Sequence, residues 1–419
     1  MQLVTSGGSM SFESERQSVG HTKSPKEIAM ACKAIWEQFD AKPIPDFDHE
    51  AFSPVQTMLK YKDELNELQP DVERWYRERG KSIPEWPKIY FAPVEGWGVY
   101  YHSREEALAI KDTEERNQWV SEKTVLFSAL CPWRYTQGIY RFAPSFAKAI
   151  CESSLKGPIP CEVLLRLPQW SIYVEMPAMR FRENTIIGFW AHLQNTDKSC
   201  EKAELALLLN TVTDDKEQKL VPAIFPLEPI SLEDLMRERL ENWLLNPLSK
   251  EDAEITGMSP ENFKAFYSNE EVRKALYQYS AKSFNPIFAM LLYLCTTEPD
   301  IVSNRRPGLK PTNNYGKHLK KGFRLFPAEG PHIWHVGQTI ENDMAQHYRV
   351  VNTSLITPQA GKRREVRSHV RSAHWHGYWK GHRPKNLEKD MREFIFHWIP
   401  PLLVRGSKEV KPLITRVGA

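Results

Sequence analysis

The segment RSHVRSAHWHGYWKGHR, residues 367–383, carries four Lys/Arg, four His, Trp375, Tyr378 and Trp379, and no carboxylate. Imidazoles, cations and rings at this density can bind a metal, move protons on a phosphate, grip a nucleic acid, or keep a sheet edge soluble. Read as a strand, the segment puts Arg367, His369, Arg371, Trp375 and Trp379 on one face and Val370, His374, His376 and Tyr378 on the other, so both faces are mixed. His374 and His376 with His369 begin a zinc set, yet no Cys or carboxylate stands near to complete it, and no metal is expected. Two imidazoles with Lys380 could cleave RNA by general acid–base catalysis, and charges on an edge strand could simply deter pairing with another sheet. Cations interleaved with stackable rings also suit RNA or the ribosome. On that reading Arg367, His369, Arg371, His374, Trp375, His376, Tyr378, Trp379 and Lys380 form the contact face.

A second set of candidates is aromatic. EGWGVYY (95–101), CPWRYTQGIY (131–140), LPQWSIYV (167–174) and GFWAHL (188–193) are core sequences, or else the walls of a groove that takes an extended peptide. The groove reading selects Trp133, Arg134, Tyr140, Trp170, Tyr173 and Trp190, with Arg134 holding a carbonyl or carboxylate; the same arginine could staple two helices. TTEPDI (296–301) sets two carboxylates at a helix C-terminus, against the helix dipole, which calls for a structural partner or a ligand. The chain has no P-loop, no G-x-S-x-G, no H-E-x-x-H and no G-x-G-x-x-G, so neither a cofactor nor a catalytic signature is expected.

The elements that must position these residues are legible in outline. With 419 residues and 41% apolar side chains the chain can bury ordinary cores, and its net charge of +3 among 56 basic and 53 acidic residues makes any electrostatic partner a local matter. Six cysteines without a C-x-x-C pair, behind an N-terminus with no signal-like apolar core, point to a reducing cytoplasm and no membrane partner. The expected division is a disordered tail at 1–23, a helical N-terminal region at 24–120, a central α+β domain at 121–302, a basic loop at 303–330, a β-rich basic segment at 331–405 and a tail at 406–419. Helices are predicted over 24–39, 53–79, 114–130, after Ser231, and from a Ser268/Glu271 capping box to about Cys295. WPKIYFAP (86–93) reads as extended, PCEVLLRLPQWSIYVEMP and IIGFWAHLQNT as neighbouring strands, and AELALLLNTV as strand or helix. The fold class is therefore α+β: helices first, a mixed or antiparallel central sheet with helices, and a C-terminal basic β-hairpin.

Taken in order, WRYTQGIY, LPQWSIYV, GFWA, LLYLCTTEPDI, GPHIWHVGQTI, HVRSAHWHGYWKG and FHWIPPLLV resemble the second type V-A anti-CRISPR family, over residues 85–405. The resemblance implies a protein of bacterial mobile elements that lowers production of the type V-A effector nuclease. It would recognise the effector's nascent N-terminal peptide at the ribosome and trigger loss of the mRNA being translated, with the ribosome or message and a host ribonuclease as further partners. The central aromatics then suit the peptide, and the C-terminal motif suits the translation machinery. Two rivals stay open: a ribonuclease that uses His374 and His376 itself, and a plain nucleic-acid-binding accessory protein.

Overall fold

A computed structural model describes residues 30, 37–38, 40–79, 90–92, 94–155, 157–181, 184–195, 202–245, 270–320, 322–355, 369–371, 373–381 and 392–404. The expected helix over 24–39, the extended 86–93, the tails and the Ser268/Glu271 box fall wholly or largely outside these residues. The N-terminal region is helical. Ser53 caps α1 (Pro54–Lys60) by accepting the Gln56 N–H, and Pro54 sits in the first turn, where no N–H is needed. α2 (Lys62–Arg79) follows after Tyr61, so the stretch read as one helix over 53–79 is two. After α3 (Val94–His102) and α4 (Glu105–Ala109), Asp112 caps α5 (Thr113–Thr136) through the Glu115 N–H at 2.9 Å. Gln137, in the left-handed conformation, ends it.

Seven strands form the main sheet, in the order β5-β4-β3-β2-β1-β9-β6. β2 (Ser171–Phe181), β3 (Asn184–Asn195), β4 (Ala203–Val212) and β5 (Gln218–Pro226) are an antiparallel meander, whereas β1 (Gly138–Phe142) runs parallel to both β2 and β9 (His332–Val336). The sheet is mixed, and AELALLLNTV is its strand β4. The edges are β6 (Ile301–Ser303), three residues long, and β5, which carries Pro222 and Pro226. α5 covers one face, with Trp133 edge-on to Trp190 and the Ser171 hydroxyl donating to the Ala129 carbonyl. Phe225, three residues from Pro222 and so on the other face, meets Phe288 of α8 (Glu270–Leu294). α6 (Pro144–Cys151) and α7 (Leu232–Leu245) pack with α8, and Ser231 caps α7 by accepting the Asp234 N–H.

Three local readings change. CEVLLR is a 3-10 turn, Cys161–Arg166, rather than the first part of a strand. β9, placed by sequence with the C-terminal segment, lies inside the main sheet. α9 (Gln338–Leu355) has no counterpart in the sequence reading; Asp300 accepts the Thr339 N–H at 2.7 Å and so caps it. That contact explains TTEPDI: one of its carboxylates serves the beginning of the next helix, where the dipole favours it.

Candidate functional site

The C-terminal motif is a β-hairpin. β10 (His369–Arg371) pairs with β13 (Leu402–Val404) and β11 (His374–Lys380) with β12 (Glu393–Ile399), both antiparallel and in one continuous register. Pro400 and Pro401, which have no N–H to donate, interrupt the ladder between the two parts. One face of the β11/β12 ribbon is inward. Trp375 stacks on the buried Phe396 at 5.2 Å, and the Trp398 indole donates to Ser153 Oγ at the end of α6 and meets Phe146 edge-on at 5.1 Å. Arg166 donates to the Phe394 carbonyl at 2.9 Å. Gly377 is required here because a Cβ would collide with the Phe394 ring.

The other face is open. His376 and His397 stand directly opposite each other, both exposed, with the Tyr378 ring beside His376 at 6.1 Å and Lys380 across from Glu393 at the tip. Tyr378 is 47% exposed; Trp379 belongs to the Trp375 face, where it lies at the end of the row, 41% exposed, its ring edge-on to Phe394 and under the Arg392 guanidinium at 5.4 Å. The expected contact face thus divides: His376, Tyr378, Trp379 and Lys380 face solvent, His374 is half-buried beside Ser154, and Trp375 is an anchor. His369 and Arg371 lie in β10, and Arg367 falls outside the described residues. Sequence reading missed His397 and the Phe394, Phe396, Trp398 row; the alternation in EFIFHWI was the signal available.

One short segment touches both this ribbon and the basic loop. Residues 166–170 hold both: Arg166 binds the ribbon, Gln169 donates to the Thr312 carbonyl at 2.9 Å, and the Trp170 N–H donates to Asn313 Oδ1 at 2.7 Å. The stretch expected to be a plain loop also contains a small ribbon, β7 (Lys317–Leu319) with β8 (Gly322–Arg324). At its start Ser303 Oγ lies 2.8 Å from His332 Nε2, but this hydroxyl also accepts the Arg305 and Arg306 N–H groups and is buried, so it shapes the turn and is no free nucleophile.

The central aromatics do not line a groove. Trp133, Tyr140, Trp170, Tyr173 and Trp190 are each 2% exposed or less, and a peptide cannot touch them. The polar atoms of three of them are turned to internal use: the Trp133 indole donates to the Gly138 carbonyl, the Tyr140 hydroxyl to Gln169 Oε1, and the Tyr173 hydroxyl accepts from Asn210. In GFWA, a Cβ on Gly188 would strike the Tyr173 ring, so glycine lets that ring lie across β3. Arg134 alone of the six reaches a surface. It donates to the Leu65 carbonyl at 2.6 Å and to Asn66 Oδ1 at 2.5 Å, stapling α5 to α2 at the wall of an open cleft of about 460 Å³. Asn66, Gln69, Glu73, Arg324, Leu325 and Pro327 also line it. Glu73 is buried there, which alone would raise its carboxyl; hydrogen bonds from Gln69, the Leu325 N–H and Arg324 outweigh burial and lower it, so a charged carboxylate is held in place.

Among the described residues no group of three or more His, Cys, Asp or Glu is placed to hold a metal, and no helix is long and apolar enough to cross a membrane. Burial pushes the thiols of Cys131, Cys151, Cys161 and Cys295 up to about 12, so all four stay protonated and unreactive.

A family model described as AcrVA2-like, the anti-CRISPR type V subtype A2 family, matches residues 140–406, from β1 through the hairpin. No curated protein matches in sequence. In fold the chain is similar to the crystal structure of AcrVA2, with a TM-score of 0.53 at 19% identity, over 86% of this chain and 100% of that one. The match spans more than half of the chain, and the chain therefore belongs to the anti-CRISPR type V subtype A2 family.

Proposed function

We propose that the chain lowers production of the type V-A effector nuclease instead of blocking the finished enzyme. It binds the effector's N-terminal segment as that segment leaves the ribosome, and brings about loss of the message under translation. The observation that supports this best is the open face of the C-terminal ribbon. His376, His397, Tyr378 and Lys380 put rings and a cation on a rigid support, which suits unpaired bases and phosphates of a message or of ribosomal RNA.

For the peptide, with the central rings buried, the cleft lined by Arg134, Asn66 and Arg324 is the contact this reading adopts, and its polar lining suits an extended backbone. Two weak contacts on one ribosome raise each other's effective concentration and confine the effect to the message that encodes the peptide. Calorimetry with a synthetic peptide of the effector's first residues, against a scrambled control, tests this reading. Saturable binding lost in Arg134→Ala and kept in Trp379→Ala is the expected result, and no binding to the wild-type chain overturns it.

A second reading has one observation in its favour. His376 and His397 are paired across the ribbon, so two imidazoles could flank a phosphate as general base and general acid, in place of the His374 and His376 pair. Labelled RNA incubated in EDTA decides it: cleavage lost in His376→Ala and in His397→Ala makes the chain itself the nuclease, and intact RNA excludes that.

A further inference from the structure

We propose that the basic loop between β6 and β9 is a docking surface for single-stranded RNA, with Tyr315 as the ring on which a base stacks. The surface is separate from the ribbon's open face. That the strand is RNA and not DNA rests on the reading above, in which the chain acts on a message.

Charge comes first. No Asp or Glu occurs between Asp300 and Glu329, while Arg306, Lys310, Lys317 and Lys320 are exposed, and none makes an ion pair among the described residues. Two other cations of the stretch are engaged in structure: Arg305 holds the Gly330 and Pro331 carbonyls, and Arg324 holds Glu73. The loop therefore keeps one set of cations for its own fold and leaves another facing solvent. A phosphate backbone is the complement of such a surface.

Tyr315 gives the surface more than charge. Its ring stands edge-on against Trp170 at 5.3 Å and is 46% exposed, so one side is seated on a fully buried indole and the rest is open. The backbone around it is fixed. Thr312 and Asn313 are bonded to Gln169 and Trp170, and Asn314 donates to the Phe326 carbonyl at 2.6 Å. Gly316, at φ +75, makes a turn in which a Cβ would meet Phe323 and the Arg324 carbonyl. A ring held in advance loses little freedom on binding. Stacking also selects the form of the ligand: a base in a duplex has no free face, whereas every base of a single strand has one.

The test is fluorescence anisotropy of the full chain with a short labelled oligouridylate, at low and moderate salt, beside the matching duplex and a single-stranded DNA of equal length. Tyr315→Ala is expected to weaken RNA binding by about tenfold, from the scale of base stacking on an aromatic ring, with Tyr315→Phe within about twofold of wild type. The double variant Lys317→Ala with Lys320→Ala is expected to flatten the logarithmic salt dependence by about 1.4, from two lost phosphate contacts on a single strand. Unchanged binding in Tyr315→Ala, equal affinity for the duplex, or equal affinity for DNA each overturns the proposal. If RNA binding fails and the peptide titration succeeds, the loop proposal falls and the functional reading stands. If the peptide fails while Tyr315 still controls RNA binding, only the functional reading falls.

Discussion

The Trp398 indole donates to Ser153 Oγ at 2.8 Å, and the Ser153 hydroxyl donates in turn to the Ala149 carbonyl. This relay ties the ribbon to the last turn of α6. Trp398→Phe keeps most of the packing against Phe146 but leaves a buried hydroxyl short of one partner. A loss of about 1 kcal/mol is expected in urea unfolding. Trp398→Ala, which also opens a cavity, should cost about 3–5 kcal/mol. If Trp398→Ala costs no more than Trp398→Phe, the ribbon is not docked through this ring.

Glu73 receives three hydrogen bonds, and its carboxyl lies below the ordinary range on balance. A depressed carboxyl contributes stability that is present above its unfolded pKa and is lost as pH falls through the folded one. Glu73→Gln should remove that part of the acid sensitivity and cost about 1–3 kcal/mol at neutral pH, because the Arg324 and Leu325 donors lose a charged acceptor. Thermal melts at neutral pH and at pH near 4 read the two effects separately.

His192 sits on the sheet face under α5, fully buried, and burial pushes its pKa down to about 4. The unfolded chain takes up this proton near 6.5 and the folded chain only near 4, so stability falls as pH drops between those values and is flat above them. The fall is roughly 3 kcal/mol for a shift of this size. His192→Leu should abolish it. A variant with the same acid profile as wild type would show that other groups dominate.

Gly337 adopts φ +77 between β9 and α9, and a Cβ there would collide with Phe146. Gly337→Ala combines a strained backbone with overpacking and should destabilise by about 2–4 kcal/mol. Asp300→Ala removes only the cap on α9 and should cost about 1 kcal/mol. Circular dichroism melts rank the two, and the reverse order would place the constraint in the cap.

Local signals carried well from sequence to structure, and long-range ones did not. The extended character of β2, β3 and the hairpin was legible, as was the helix start at Ser231, because each depends on neighbours within a few residues, whereas AELALLLNTV, an apolar run without alternation, read equally as strand or helix. The WRYTQGIY and LPQWSIYV rings were legible as aromatic clusters, but their exposure was not. Burial is decided by α5 lying on the sheet, and nothing inside the motifs encodes that. Parallel pairing of β1 with β9 joins residues 138–142 to 332–336, and the Glu73–Arg324 contact joins positions 251 apart; neither leaves a local trace. Arg134 is the instructive case. The structure shows it as a staple between α2 and α5, and the same side chain lines an open cleft.

The outer strands of the main sheet bear on how these molecules behave in a crowd. β5 offers an incoming strand a margin in which Pro222 and Pro226 have no N–H, and β6 offers three residues. A neighbour that tried to extend the sheet would find too few rungs to climb. The apolar centre of the main sheet thereby offers little to pair with at either edge.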